Sequence, residues 1–331
     1  MSGPGVPATM RAAYVERLGA PEEIRIGELP VPAPGPTDVL VAVELVAVNP
    51  VDTYVRSGRY RTPVSFPFVV GRDLVGTVIG AGPGAPFGPG DRVWANSLGH
   101  DGRQGSFAQY AVVPAARCYR VPEGADPALV VALAHPAATA YLGWFVHGGL
   151  RPGDVVYVGG GAGNVGTAAI SMARRAGAWV VASARPADHG RCREAGAHAV
   201  VDFAATDVAE RIGTAASRAV DVFWDTSGHH DLDLAARVAA PGGRILLSAA
   251  QADRPVLPVR ELYTRDVSLR GFVISRATAA QLADAARLVG TMVADGGLVA
   301  RISEVLALDA TAEVHARLEA GTVSGRVLLR P

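Results

Sequence analysis

The sequence contains no lysine, so each of its 31 basic residues is an arginine. This absence excludes an enzyme that forms a Schiff base through lysine, and it excludes the lysine-containing phosphate loop of many nucleotide-binding proteins. The basic residues are balanced by 31 acidic residues, so the formal net charge is zero. No excess of positive charge therefore favours nucleic acid or a membrane surface as a partner.

Cysteine is also scarce, because only Cys118 and Cys192 occur in 331 residues. Two cysteines do not make a disulfide framework in a chain of this length, and their scarcity is typical of a reducing compartment. We recognise no signal peptide and no long apolar run, which predicts a cytoplasmic location. Residues 1–9 are expected to form a frayed extension before a first strand at Met10–Val15.

The order of apolar segments predicts two domains and an α/β fold. Residues 1–128 contain strands separated by turns rich in proline and glycine, which indicates a β-rich domain. Residues 129–274 alternate strands and helices, which predicts a doubly wound parallel sheet. Residues 275–331, with a helix at 277–294, are too few to fold alone, so we expect them to complete the first domain. In the parallel sheet we predict strands near 155–158, 179–183, 199–201, 220–225, 244–248 and 267–273, and helices near 164–176, 188–195, 206–216 and 231–240.

A glycine-rich turn between the first of these strands and the first helix indicates a dinucleotide site. Val155–Val158 lead directly into Gly161, Gly163 and Gly166, which stand in the GxGxxG spacing. The first glycine is expected to make the tight turn, the second lets the backbone approach a pyrophosphate, and the third lets the helix pack against the strand. The motif alone is weak, but strand, turn and helix occur here in the required order. The alternative is a glycine-rich turn without a ligand.

The next strand, Trp179–Ser183, indicates which dinucleotide is bound. Sites that prefer NADH usually place Asp or Glu at the end of this strand to bind the ribose hydroxyls. Here no acid stands at the strand end, and Ser183 is followed by Ala184 and Arg185. Arg185 can pair with the 2′-phosphate of NADPH and Ser183 can donate to it, so we predict NADPH. The alternative is that Arg185 is an ordinary solvated arginine.

With these motifs in place, the chain resembles the zinc-free quinone oxidoreductase branch of the medium-chain dehydrogenase/reductase superfamily. The most specific match is NPVDTYVRSGRY at Asn49–Tyr60, and the others are GDRV at 90–93, GSFAQYAVV at 105–113, TAYLGW at 139–144 and SGRVLL at 324–329. The resemblance covers nearly the whole chain from Met10 on. It implies a GroES-like catalytic domain with a Rossmann domain, NADPH-dependent reduction of quinones or activated alkenes, and a homodimer.

The resemblance also raises the question of zinc, because relatives with alcohol dehydrogenase activity use this metal. They have Cys at the position of Asn49, His at that of Arg72 and Cys near His135. Asn and Arg are not zinc ligands, and the four cysteines of a structural zinc lobe are missing from residues 95–104. We therefore predict no metal. His135 is interpreted either as a side chain packed beside the nicotinamide or as a proton donor or substrate ligand.

Without a metal, the protein must stabilise the negative charge that develops on an oxygen of the acceptor during hydride transfer. Tyr54 and Tyr60 are candidate donors to that oxygen, and half-buried packing is the alternative for each. The resemblance places Asn49 close to the nicotinamide or the substrate. Asp52 and Arg56 are expected to form a structural pair that holds the segment.

Further cofactor contacts follow from the resemblance and from the carboxyl ends of the predicted strands, where ligands bind in such sheets. An ordinary loop or strand role is the alternative for several of them. The candidate cofactor-binding residues are Thr139, Gly161, Gly163, Asn164, Val165, Gly166, Ser183, Arg185, Ser227, Ser248, Phe272, Ile274 and Arg326.

Together these features predict a zinc-independent, NADPH-dependent reductase of a quinone or enone. An enoyl-thioester reductase and a tailoring reductase of a biosynthetic pathway are the alternatives among enzymes. An NADPH-binding protein with little turnover is the alternative outside that class, and the intact segment Asn49–Tyr60 favours an enzyme. The acceptor is expected to depend on the loops at 58–66, 95–104 and 250–262.

Overall fold

The chain folds into two units that differ in their sheets. The computed structural model describes residues 6–250 and 254–331. The first unit ends at His135 and includes Leu282–Gly296 and Ala300–Pro331, and the second comprises Pro136–Gln281 with Gly297–Val299. Residues 1–5 of the expected extension and residues 251–253 of the expected acceptor loop lie outside the described residues.

The secondary structure follows in chain order. The strands are β1 (Thr9–Val15), β2 (Arg25–Pro30), β3 (Asp38–Ala47), β4 (Phe68–Val69), β5 (Asp73–Ala81), β6 (Arg92–Ala95), β7 (Tyr110–Pro114), β8 (Tyr119–Arg120), β9 (Val155–Gly159), β10 (Trp179–Ala184), β11 (Ala199–Asp202), β12 (Val220–Asp225), β13 (Ala239–Leu247), β14 (Ser268–Gly271), β15 (Ile302–Ala307) and β16 (Arg326–Arg330). The helices are α1 (Pro50–Ser57), α2 (Pro127–Tyr141), α3 (Asn164–Arg175), α4 (His189–Glu194), α5 (Val208–Ala216), α6 (Leu232–Val238), α7 (Val259–Tyr263), α8 (Ala279–Ala294) and α9 (Thr311–Glu319).

The first unit contains a seven-stranded sheet in the order β15-β16-β3-β5-β6-β8, in which β7 pairs with β3. A three-stranded sheet, β2-β1-β4, accompanies it. Apolar side chains of the larger sheet pack with those of α1 and α9 in one core, which includes Val41, Leu74, Phe107, Val314 and Leu329. The parallel pairing of β15 with β16 brings the last segment of the chain into this sheet.

Helix α1 begins and ends where its sequence requires. Asn49 precedes it in an extended conformation, Pro50 occupies the first helical position, and Gly58 ends it with a positive φ of 79°. Proline needs no partner at that first position, and glycine adopts the left-handed conformation without strain. The sequence analysis did not predict this helix or α9, because segments of eight or nine residues give too short a periodic pattern.

The second unit contains a six-stranded sheet in the order β11-β10-β9-β12-β13-β14. All of its pairings are parallel. This is the strand order of a Rossmann fold, and it places the ends of β9, β10, β12 and β13 at one edge of the sheet. The predicted fold class is therefore confirmed.

One segment is more apolar than the sequence analysis recognised. Helix α2 continues through a π-helical turn at Leu142–His147, and the combined helix Pro127–His147 is long and apolar enough to cross a membrane. Within the most apolar 18-residue stretch of this helix, 72% is buried inside the protein. The expectation of no long apolar run was wrong, and the burial is that of a core helix.

Candidate functional site

A group of buried polar residues lies in the first unit. They come from the start of α1, the start of β5, α2 and β16, and we call this group the polar cluster: Asn49, Asp52, Arg72, Asp73, His135 and Arg326. The side chain of His135 is 13% exposed, and the other members are at most 3% exposed. Buried charges are costly unless other polar groups surround them, so the contacts within this cluster are informative.

The Asn49 carboxamide connects the members of the cluster. Its Nδ2 group donates to Asp73 Oδ2 at 2.8 Å and to the backbone oxygen of Ala47 at 3.2 Å. Its Oδ1 accepts a hydrogen bond from Arg326 Nη2 at 3.0 Å. An amide nitrogen carries two hydrogens, and both are used here. The geometry therefore favours a positioning role for Asn49 over the predicted catalytic one.

Arg326 was predicted to approach the cofactor. The structure instead places its guanidinium inside the first unit, where it donates to Asn49 and lies 3.8 Å from Asp73 Oδ2. At 3% exposure it is one of the least accessible arginines of the chain. This placement favours a role in holding Asn49 and Asp73 over direct cofactor binding.

The buried charges of the cluster are two carboxylates, Asp52 and Asp73, and two guanidiniums, Arg72 and Arg326. Burial raises the pKa of Asp73 to about 7, although Arg326, Asn49 and Arg72 act in the opposite direction. Burial, together with the charge of Asp73, raises the pKa of Asp52 to about 7. Burial also lowers the pKa of both arginines. The charge of the cluster consequently changes near neutral pH.

His135 lies at the accessible side of the cluster. Burial, followed by the positive charges of Arg72 and Arg326, lowers the pKa of His135 well below its usual value. The imidazole is therefore neutral at neutral pH. Its Nδ1 is 4.0 Å from Asp73 Oδ1, an oxygen that has no hydrogen-bond partner within residues 6–250 and 254–331.

This donor set does not fit a catalytic zinc ion, which needs three good ligands. The Asn49 amide is engaged in hydrogen bonds, and the Arg72 guanidinium is a cation that would repel a metal. His135 and Asp73 alone are too few to hold the metal. Throughout the described part of the chain, no group of three or more His, Cys, Asp or Glu side chains could hold a metal ion.

Tyr54 lies within α1, and Tyr60 lies in the loop that follows this helix. Tyr54 is half-buried, and the guanidinium of Arg59 stacks 4.7 Å from the centre of its ring. Tyr60 is also half-buried, lies 5.7 Å from the ring of His100, and interacts electrostatically with Arg72. A groove of about 330 Å³ adjoins Tyr60, and its other lining residues are Leu18, Val55, Gly58, Arg61, Thr62 and Pro63. Tyr60 is thus the candidate tyrosine that interacts with a charge of the cluster.

The expected pair between Asp52 and Arg56 is wrong. Asp52 lies in the first turn of α1, where its Oδ2 accepts from the backbone N–H of Asn49 at 2.7 Å. Arg56 lies in the last turn, where it donates to the backbone oxygen of Gly19 at 2.5 Å and pairs with Glu319 of α9. The two side chains therefore support opposite ends of the helix.

The glycine loop of the second unit connects β9 to α3. An added Cβ at Gly166 would lie 2.2 Å from the backbone oxygen of Gly160, and one at Gly161 would lie 3.0 Å from Ala182 Cβ. Gly166 therefore requires glycine for packing, whereas a Cβ at Gly161 would need neighbouring side chains to shift slightly. An added Cβ at Gly163 would meet only the Gly160 oxygen, at 3.1 Å, so this position is more open. Asn164 and Val165 open helix α3, as predicted for a pyrophosphate cradle.

The tight turn itself is made by a glycine that the motif does not include. Gly160 has a positive φ of 65°, and its backbone oxygen accepts from the N–H of Gly163 at 2.9 Å. Gly161 does not have a positive φ. The assignment of the turn to Gly161 was wrong by one residue, because spacing alone does not show which glycine adopts the left-handed conformation.

Ser183 does not occupy the position predicted for it. Its side chain is buried at 1% exposure, and its hydroxyl accepts a hydrogen bond from Tyr157 at 2.7 Å. The prediction that Ser183 donates to a 2′-phosphate does not agree with this burial. The sequence could not show this because alternate strand residues point to opposite faces, and the face of Ser183 packs on Tyr157.

Arg185, by contrast, is exposed just beyond β10. The exposed fraction of its side chain is 73%, and it pairs with Asp188, with Nε 3.1 Å and Nη2 2.9 Å from Oδ2. An acid that sequence reasoning missed thus lies beside Arg185. The sequence contains this acid, Asp188, three residues after Arg185, in the short turn Pro186–Asp188.

Other predicted cofactor residues follow strand ends of the second unit or lie in α2. Thr139 is buried in α2 at 9% exposure. Ser227 donates to Asp225 Oδ1 at 2.5 Å, and Ser248 accepts from Trp224 Nε1 at 2.9 Å. The ring of Phe272 stacks on that of His147 at 4.7 Å, and Ile274 is buried at 6% exposure. Ser227, Ser248 and Phe272 lie at the carboxyl edge of the sheet, as the strand-end argument required.

Comparison with known proteins places both units in one family. A family model described as "Alcohol dehydrogenase GroES-like domain" matches residues 35–123, and one described as "Zinc-binding dehydrogenase" matches residues 164–291. The quinone oxidoreductase of Rattus norvegicus is 28% identical over 310 residues, which cover 92% of this chain and 93% of that protein. A trans-enoyl reductase of Aspergillus flavipes is 33% identical over 222 residues, which cover 63% of this chain and 64% of the relative.

Solved structures agree with this placement. The crystal structure of an NAD-dependent alcohol dehydrogenase has a TM-score of 0.88 and 30% identity, and the match covers 97% of this chain and 100% of that one. A mycobacterial protein in complex with NADPH has a TM-score of 0.85 and 26% identity, with 97% and 100% covered. The chain belongs to the medium-chain dehydrogenase/reductase superfamily, in its quinone oxidoreductase branch, and is a pyridine-nucleotide-dependent oxidoreductase.

Proposed function

We propose that the protein catalyses zinc-independent reduction of a quinone or an enone by NADPH. The observation that carries this proposal is the polar cluster, because hydrogen bonds and an arginine occupy the positions where zinc-dependent relatives have metal ligands. Quinones and enones are electrophilic enough to accept hydride without the Lewis acid that a simple ketone needs. The quinone oxidoreductases among the relatives support the same substrate class.

The glycine loop and Arg185 support NADPH as the cofactor. Bound NADPH supplies the hydride. The loop offers backbone N–H groups to a pyrophosphate, and the exposed guanidinium of Arg185 is suited to a 2′-phosphate. Asp188 already pairs with that guanidinium, so a phosphate must compete with a carboxylate for it. The mycobacterial complex supports NADPH, whereas the alcohol dehydrogenase is described as NAD-dependent, so both cofactors must be tested.

The chain's own groups serve the acceptor in this proposal. Tyr60 offers its phenol O–H to the oxygen on which charge develops, since the Arg72 guanidinium acts on this side of the cluster. Asn49 and Arg326 hold Asp73 in place. His135, the most exposed member of the cluster, contacts the acceptor.

The relative from Aspergillus flavipes supports a second candidate, reduction of an enoyl thioester. The same cluster would stabilise the enolate of a thioester, so the acceptor is the only difference between the candidates. We also propose that the protein forms a homodimer, in which the edge strand β14 pairs with its copy. Light scattering of the purified protein gives the mass that tests this assembly.

A substrate panel tests the proposed function. Purified protein receives NADPH or NADH with quinones, enones, enoyl thioesters and simple ketones, and oxidation of the cofactor is followed. Turnover of a quinone or enone, with NADPH preferred and simple ketones inert, is the expected result. Turnover of enoyl thioesters alone would establish the second candidate. Tight binding of NADPH without turnover of any acceptor would favour a binding protein and contradict the proposal.

A further inference from the structure

Reduction of a quinone or enone consumes a proton as well as a hydride, and the source of that proton is not obvious. His135 is the accessible polar member of the cluster, but its imidazole is neutral at neutral pH because burial and two arginines lower its pKa. A neutral imidazole can give up the proton on one nitrogen only if the other nitrogen gains one at the same time. A donor to its second nitrogen is therefore required.

Asp73 is placed to be that donor. Its Oδ2 accepts the hydrogen bond from Asn49, whereas its Oδ1 lies 4.0 Å from His135 Nδ1 and has no hydrogen-bond partner in the described part of the chain. A proton on the carboxyl group therefore belongs on Oδ1, the oxygen that faces the imidazole. The separation exceeds a hydrogen bond, but catalytic hydrogen bonds are often long before substrate binds.

The surroundings keep Asp73 available for protonation near neutral pH. The charged and titratable groups that face it are Asp52 of α1, Arg72 and Arg326 of the cluster, and His135 of α2. Burial raises the pKa of Asp73 to about 7, and Arg326, Asn49, Arg72 and the backbone N–H of His135 limit that rise. The carboxyl group thus holds a proton in a substantial fraction of molecules at the pH where the imidazole is neutral.

We propose that Asp73 and His135 form a proton relay that delivers the proton to the reduced acceptor. The relay rests on the proposed function, since it needs an acceptor oxygen or carbon that becomes basic after hydride transfer. The Nε2–H bond of His135 breaks as a bond from hydrogen to the acceptor forms, and the Oδ1–H bond of Asp73 breaks as the Nδ1–H bond of His135 forms. No electrons are exchanged in this step.

The relay then returns to its starting state. After transfer, Asp73 is a carboxylate and His135 carries its proton on Nδ1. Water protonates Nε2 once product leaves, and the Nδ1 proton returns to Asp73. Asp73 acts through His135, so it is a positioning residue and proton source, whereas His135 is the group that touches the acceptor.

Asp73→Asn and His135→Gln test the relay. The Asp73→Asn side chain retains an oxygen to accept from Asn49 but has no titratable proton, and the His135→Gln side chain has no second nitrogen to accept one. In the wild type, we expect kcat to fall above about pH 7, as Asp73 ionises, and this fall is the alkaline limb of the pH profile. We also expect a solvent isotope effect, with a lower kcat in D2O than in H2O. Both variants are expected to lose this alkaline limb and the isotope effect, with kcat lowered by roughly 100-fold at pH 6.

Asp52→Asn is the matched control. Asp52 is also buried, but its Oδ2 accepts from the backbone N–H of Asn49, and Asp52 is not a member of the relay. This variant is expected to keep an alkaline limb and the isotope effect. The relay would be overturned if Asp73→Asn kept the alkaline limb of the kcat profile. It would also be overturned if Asp52→Asn lost this limb while Asp73→Asn and His135→Gln did not. Circular dichroism and NADPH affinity establish that each variant is folded.

Infrared spectroscopy of the protein without acceptor separates failure of the relay from failure of the proposed function. A protonated carboxyl band that disappears as pH rises through about 7 is expected in the wild type and in Asp52→Asn. The Asp73 contribution to this band should shift in His135→Gln and be absent in Asp73→Asn. Absence of any Asp73 band below pH 7 would contradict the relay even if the enzyme reduces quinones. A wild type without turnover would contradict the proposed function, whatever the band shows.

Discussion

The polar cluster of the first unit and the glycine loop of the second are built in opposite ways. The cluster consists of side chains, and its hydrogen bonds join residues 24 and 277 positions apart. The loop consists of backbone from one short stretch, and its important property is the absence of side chains. A site for a phosphate needs space and N–H groups, which neighbouring glycines supply. A site that manages charge without a metal needs several polar groups around one point, which only distant segments can supply.

The largest expected effect breaks the loop and leaves the cluster intact. In Gly166→Ala the new Cβ would lie 2.2 Å from the backbone oxygen of Gly160, so α3 must move away from the turn. Overlap of this kind costs roughly 1–3 kcal/mol or more, and we expect the dissociation constant for NADPH to rise about 100-fold. Titration of NADPH fluorescence measures this. Gly190→Ala, where a Cβ would have nothing within 4 Å, is the control, and equal affinities of the two variants would contradict the packing argument.

Asn49→Ala breaks the cluster and leaves the loop intact. It removes the partner of Asp73 and of Arg326 in one step, so two buried charged groups lose hydrogen bonds. We expect the free energy of unfolding to fall by about 2 kcal/mol, measured by urea denaturation, while NADPH affinity is retained. Asn96→Ala is the matched control, because buried Asn96 donates to the neutral backbone oxygen of Ala134 and, among the described residues, to no charged group. A loss no larger than in this control would show that Asn49 does not hold the charges.

His315 gives a contrast with the polar cluster, because it is a buried polar residue of the first unit that lacks the hydrogen bonds found within the cluster. Neither ring nitrogen has a hydrogen-bond partner in the described residues, and burial with Arg56 lowers its pKa to about 3. In the unfolded chain the ring takes up a proton near its usual pKa, so stability falls as pH drops from about 6.5 towards 3. His315→Leu should remove about 2 kcal/mol of the stability lost between pH 7.5 and pH 5. Denaturation at both pH values tests this, and an unchanged pH dependence would contradict it.

Variants of Tyr54 and Tyr60 test which of the two donates a hydrogen bond to the oxygen of the acceptor. Tyr60 interacts with Arg72, whereas Tyr54 lies under Arg59. Loss of a hydrogen bond to a developing negative charge should lower kcat/KM roughly tenfold in Tyr60→Phe and less in Tyr54→Phe. Steady-state kinetics with a quinone measures both. The reverse order would move the donor role to Tyr54.

The smallest expected effect is on cofactor preference, and it concerns the exposed ion pair of Arg185 with Asp188. Arg185→Ala should lower the preference for NADPH over NADH about fivefold, because an exposed charge pair contributes about 1 kcal/mol. Asp188→Asn should raise that preference, since it frees the guanidinium for a phosphate. Both shifts should shrink at high salt. Dissociation constants for the two cofactors provide the test, and unchanged preference in Arg185→Ala would contradict the assignment.

The same contrast explains what the sequence could predict. Strand β9, the glycine loop and α3 follow one another, so their periodicity and spacing predicted the dinucleotide fold and its strands. The cluster depends on a sheet that brings Asp73 and Arg326 beside Asn49, and no local pattern encodes that pairing. Family resemblance supplied Asn49, but only the structure showed that its amide is fully engaged. Ser183 was misplaced for a related reason, because its direction depends on packing against Tyr157.

Metal content measured together with activity tests the central claim most directly. The purified protein is analysed for zinc and assayed with NADPH and a quinone, in the presence and absence of a strong chelator. We predict sub-stoichiometric zinc and the same turnover in both assays, because in the proposed mechanism side chains stabilise the developing charge without a metal. Stoichiometric zinc, with activity that the chelator abolishes and zinc restores, would contradict the account.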